Sequence, residues 1–178
     1  MIYGQDIKKE IIRFTAEEKD SVKNFNCGNE VINSYLKEKA YDDPQTVTFI
    51  VKDKNNNMVI CYYSLSCSGL VLDHGTGNKI TIYPAVEIKM FAIDENYQHM
   101  PYSDDTEEGN LSDMLFADVI AYIYRFTDEQ CGADKITLYS VPDAVNFYSR
   151  NGFNEFREFM KPSTSWFLDG CVPMYMDL

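Results

Sequence analysis

Glu87 stands in an otherwise apolar run, PAVEIKMFAID at 84–94, which reads as a buried strand. A carboxylate there must reach water, a partner or a ligand, because burying it bare is expensive. It can serve as a general base, with desolvation raising its pKa into a useful range. It can equally mark a solvated strand end paired with Lys89, which alternation puts on the same face. The segment QHMPYSDDTEEGN at 98–110 carries four carboxylates, Asp104, Asp105, Glu107 and Glu108, and reads as a loop by every local signal. The five cysteines form no C-x-x-C pair, and with only two histidines a metal site is not expected. Cys27 reads as a turn or core residue, since no histidine lies near it in sequence to activate the thiol. His74 and His99 sit in polar loops and take no role.

These groups must be positioned by regular elements. Ile11–Phe14 reads as a short strand. Thr15 then sits where an N-cap belongs, with Glu18 completing a capping box for a helix running to about Phe25. A second helix, from about Glu30 to Ala40, carries Val31, Ile32, Tyr35, Leu36 and Lys39 at helical spacing. TVTFIVKD and MVICYYSLSCSGLVL predict strands joined by the polar turn Lys54–Asn57. Asp73–Asn78 reads as a loop. LSDMLFADVIAYIYRF is the clearest helix, with Leu111, Leu115, Val119, Tyr122 and Phe126 on one face. KITLYSV predicts a strand, Pro142 opens a short helix that ends near Gly152, and FNEFREFMK and CVPMYMDL predict two more strands.

The 178 residues suit one domain spanning 1–178. Hydrophobic residues at 45% and charged residues at 25% fit a globular chain and not a disordered one. A net charge of −12 weighs against nucleic acid, whose phosphates are grasped by Lys and Arg. No apolar run approaches the roughly 18 residues of a membrane span, and the N-terminus has no signal-peptide pattern. Unpaired thiols point to a reducing compartment, so the expected location is cytoplasmic. The element order predicts an α/β fold with a mixed sheet.

Three segments carry a resemblance. AVNFYSRNGF at 144–153 reproduces A-x-x-F-Y-x-x-x-G-F after a strand, which resembles the C-terminal signature of the GCN5-related N-acetyltransferases. EIKMFAI at 87–93 looks like that family's central strand. FNCGNEVINSYL at 25–36 resembles the F-x-C-G-x-x-x-L-x-x-[FW]-L opening of its toxin-type bacterial branch. The resemblance implies a mixed, mostly antiparallel sheet of six to seven strands flanked by helices. It implies acetyl-CoA as acetyl donor, lying where the strands around Glu87–Ile93 and Ile136–Val141 splay, and main-chain contacts from Phe91, Ala92 and Ile93.

It also implies roles for side chains. Tyr148 falls on the tyrosine that faces the CoA sulfur, and a phenol with a pKa of about 10 keeps a proton to donate to a thiolate. The plain alternative is a buried structural tyrosine, one of 13. In histone-acetylating relatives the general base occupies the position of Glu87. The pyrophosphate loop departs from the family pattern: Gln98 begins it, but the acidic stretch intervenes and only Gly109 remains. Either that stretch bulges away and leaves Gly109, Asn110, Leu111 and Ser112 as the anion nest, or CoA binding is weak or lost. The intact helix that follows favours the bulge. Val141 departs as well, since many relatives have an asparagine there.

The implied activity is an N-acetyltransferase acting by direct attack in a ternary complex. The acidic surface suits a small-molecule or peptide amine as acceptor, and many relatives pair as homodimers through terminal strands. Two alternatives stand beside it: a catalytically silent binding module, and a toxin-type enzyme acting on aminoacyl-tRNA.

Overall fold

The computed structural model describes residues 3–73, 80–156 and 170–178. Strand β1 (Lys9–Arg13) is followed by a 3₁₀ segment (Ala16–Val22) and helix α1 (Glu30–Glu38). Strands β2 (Val47–Asp53), β3 (Met58–Asp73) and β4 (Ile80–Ile93) come next, then α2 (Leu111–Glu129) and β5 (Lys135–Ser140). A 3₁₀ turn at Pro142–Ala144 leads into α3 (Val145–Arg150), and β6 (Asn154–Glu155) and β7 (Val172–Asp177) complete the chain. The strands pair in the order β1-β2-β3-β4-β5-β7-β6. This is the mixed, mostly antiparallel sheet expected, with β4 and β5 as its parallel pair. His74, most of the 73–78 loop and residues 157–161 of the expected tail strand lie outside the described residues.

The chain divides into two compact units. The first comprises Met1–Leu65 with Met90–Ile120, the second Ser66–Lys89 with Ala121–Leu178. In the first unit, alternation along β2 buries Thr48 and Ile50. Leu36, Ile50, Ile60, Leu111, Leu115 and Phe116 are fully enclosed there. In the second, Ile123, Ile136, Leu138 and Met174 form the fully buried set. The Lys54–Asn57 turn reverses the chain as expected, with Asn57 at a φ of 60°.

Two local expectations are corrected. Thr15 makes no side-chain cap, and the segment after it is 3₁₀. The Glu18 carboxylate goes instead to Lys52, 2.5 Å away, whose side chain is only 8% exposed. A nearly buried ammonium needs a counter-charge more than a short helix needs its second cap. Helix α1 is rotated relative to its apolar pattern: Val31 is exposed while Asn33 and Leu36 are buried. The polar contacts of Asn33, described next, set that rotation.

Candidate active site

In the first unit, the turn Asn26–Cys27–Gly28 is fastened to the end of β4 through polar contacts. Buried Asp94 accepts the Asn26 N–H at 2.9 Å, and the Glu95 N–H donates to the Asn26 carbonyl at 2.8 Å. Asn33 Oδ1 accepts the Cys27 N–H at 2.9 Å, and its Nδ2 donates to Asn26 Oδ1 at 2.8 Å. Gln98 Nε2 donates to two carbonyls, Cys27 at 3.1 Å and Ile93 at 2.8 Å. Asn29 caps α1, its Oδ1 accepting from the N–H groups of Val31 and Ile32. Cys27 is thus a turn residue. Burial pushes its thiol pKa up, which is the wrong direction for a nucleophile.

The acidic segment folds as a hairpin. A bridge pairs Pro101 with Asn110, closed by Tyr102 N–H to the Gly109 carbonyl at 3.0 Å and Leu111 N–H to the Met100 carbonyl at 2.9 Å. Asp105 spends its carboxylate on the Glu107 N–H at 2.9 Å, within its own 3₁₀ turn. Asp104, Asp105, Glu107 and Glu108 are all exposed. The stem delivers Gly109 with φ 74° and ψ −151°, a conformation essentially reserved for glycine, directly before α2.

Among the expected anion donors, Leu111 is corrected: its N–H is already bonded to Met100. The N–H groups of Gly109, Asn110 and Ser112 have no hydrogen-bond partner among the described residues, and they lie at the positive end of a 19-residue helix. The sequence reading missed Asp113, whose Oδ2 lies 3.8 Å from where a Cβ on Gly109 would sit. It was hidden inside an amphipathic helix pattern.

On β4 itself, the Asp94 N–H donates to the Ile60 carbonyl of β3 at 2.9 Å. In the trans peptide that joins Ile93 to Asp94, the Ile93 carbonyl therefore points away from β3. The Phe91 ring meets Phe116 of α2 edge-on, with centroids 5.0 Å apart.

In the second unit, β4 and β5 are in register from Ala85↔Lys135 to Ile88↔Leu138, with Glu87 opposite Thr137. Pairing stops there, although β5 continues to Ser140. Glu87 is half-buried, and burial raises its carboxyl pKa against the pull of the Lys89 charge and a hydrogen bond from Ser68. The Tyr139 phenol is also raised, by burial and then by the Glu87 charge. The Thr137 hydroxyl is buried with no hydrogen-bond partner among the described residues. Tyr148 sits on α3, 9% exposed, with its ring edge-on to Phe147 at 5.2 Å and to Phe153 at 6.1 Å. Helix α3 ends near Gly152 as expected, with Asn151 at its C-cap and Gly152, at φ 93°, turning the chain back just beyond it.

Neither a family model nor a curated protein sequence matches the chain. Solved structures do. A bacterial toxin superposes with a TM-score of 0.72 at 18% identity, over 96% of this chain and 91% of the toxin. The chain carries the GCN5-related N-acetyltransferase fold. AtaTR bound with acetyl-CoA matches with a TM-score of 0.65 at 17% identity, over 95% of this chain and 92% of that one. AtaT complexed with acetyl-methionyl-tRNAfMet matches at 0.66 and 16%, over 93% and 94%. Within this fold the described residues include no group of three or more His, Cys, Asp or Glu side chains able to hold a metal ion. No described helix is long and apolar enough to cross a membrane.

Proposed function

We propose that the protein transfers an acetyl group from acetyl-CoA to a primary amine by direct attack. The observation that carries this reading is the fold, shared over more than nine-tenths of both chains with a structure that holds acetyl-CoA. Locally, the N–H groups of Gly109, Asn110 and Ser112 suit a pyrophosphate. Beyond Ile88, where pairing with β5 stops, β4 at Phe91, Ala92 and Ile93 offers main-chain groups to an extended arm, in the manner of an added strand. Bound there, acetyl-CoA supplies an activated thioester.

The chain's own residues manage the protons. Glu87, with its raised pKa, accepts a proton from the incoming ammonium, directly or through water, so that the amine attacks as a neutral nucleophile. Tyr148 Oη gives its proton to the departing thiolate. A thermal shift with acetyl-CoA tests the reading: stabilisation should grow with ligand concentration, reaching about 2.7 kcal/mol at a hundredfold excess over Kd. No stabilisation at millimolar ligand would favour the silent binding module instead.

A second acceptor reading has its own support, the neighbouring AtaT solved with acetyl-methionyl-tRNAfMet. On that reading the acceptor is the α-amine of an aminoacyl-tRNA. The net charge of −12 argues for a small amine or basic peptide, but whole-chain charge does not decide what one face of this fold can hold. Acetylation of charged tRNA, compared with a panel of polyamines and Lys-rich peptides, separates the two.

A further inference from the structure

Gln98 joins the Asn26–Gly28 turn to the edge of β4 that faces away from β3. Its amide donates both hydrogens to carbonyls, Cys27 at 3.1 Å and Ile93 at 2.8 Å. The Ile93 carbonyl lies on that edge because the neighbouring Asp94 N–H is spent on Ile60 of β3. Gln98 thus occupies one of the two lone pairs of the Ile93 carbonyl and holds that peptide group in place on the edge.

Resting on the acetyl-CoA reading above, we infer that Gln98 is a positioning residue for the pantetheine arm. It acts through Ile93 and touches no reacting atom. By tying two carbonyls together it fixes the end of β4 and makes the N-terminal F-N-C-G turn part of the donor site. The same turn is held independently by Asp94 and Asn33. Removing Gln98 should therefore loosen the strand edge and leave the turn in place.

The test measures, by titration calorimetry, the affinity of the full chain and its variants for two ligands. One is acetyl-CoA; the other is 3′-phospho-ADP, which lacks the pantetheine. Gln98→Leu keeps the size and loses both donors, so acetyl-CoA affinity should fall about tenfold, the worth of one to two hydrogen bonds. Affinity for 3′-phospho-ADP should stay within about twofold, because the phosphate donors at Gly109–Ser112 are untouched. Gln98→Arg, which still donates, should recover most of the loss. Should the Leu variant not fold, Gln98→Glu, whose ionised carboxylate has no donor, is read by the same pair of ligands. Unchanged acetyl-CoA affinity, or equal weakening of both ligands, overturns the positioning role. Wild-type protein that binds neither ligand overturns the acetyl-CoA reading and this inference with it.

Discussion

Gly28 is the tightest point of the N-terminal turn, and replacing it by alanine tests how that turn is held. Its φ of +82° costs an L-residue about 1–2 kcal/mol from backbone sterics alone. A Cβ there would lie 2.8 Å from Glu95 Oε1, closer than a real Cβ comes to any atom. The carboxylate must swing away, and its other oxygen then releases the Asn26 Nδ2 donor it accepts at 2.7 Å. That bond is exposed, so its loss adds about 0.5–1 kcal/mol. Gly28→Ala should therefore destabilise the fold by about 1.5–3 kcal/mol, read from urea unfolding followed by circular dichroism. Adding Glu95→Ala removes the clash and the bond beforehand. The double variant should thus be less destabilised than its two singles predict, by about 0.5–1 kcal/mol. Additivity within about 0.3 kcal/mol would refute the steric argument and leave the backbone term as the whole effect.

Four further outcomes follow from the site. Tyr148→Phe should lower kcat by roughly 10²–10⁴-fold while acetyl-CoA affinity barely changes, because only a transition-state proton donor is lost; full activity with an acceptor in hand would remove Tyr148 from the mechanism. The folded-state pKa of Glu87 is raised, so its favourable contribution is present below the ordinary carboxyl range and lost as pH rises through the raised value. Relative to Glu87→Gln, wild-type Tm should therefore fall across that window, and a constant difference would contradict the burial argument. Asp113→Asn should tighten acetyl-CoA binding by about three- to tenfold at low salt and less at high salt, since it removes a like charge beside the Gly109 donors; unchanged affinity would place the phosphates elsewhere. Exposed Cys67 and Cys131 should react with a thiol reagent in the folded protein, while buried Cys61, its pKa pushed far up by desolvation, should wait for unfolding.

The elements were legible because their signals are local. The β-branched and aromatic residues of TVTFIVKD, the polar turn at Lys54–Asn57 and the apolar face of the Leu111 helix each sit within one window of the chain, and the strand, the turn and the helix are all present. What could not be read is whatever a distant partner decides. Glu18 had a local role waiting as a cap, yet Lys52, 34 residues on, claims it. The rotation of α1 follows from Asn33, whose use becomes visible only once Asn26 and Cys27 are in place. The same holds at the candidate site. Sequence pattern located Gly109 and the start of α2, but the closing bond that takes the Leu111 N–H comes from Met100, across a stretch of loop and 3₁₀ turn from 101 to 110. Gln98 was legible as the start of a phosphate-loop pattern, whereas its observed work is to bind carbonyls at positions 27 and 93. A motif residue can thus stand where a family pattern expects it and still act through the strand it secures, so the chemistry of this site has to be tested at the carbonyls it holds as well as at the groups that move protons.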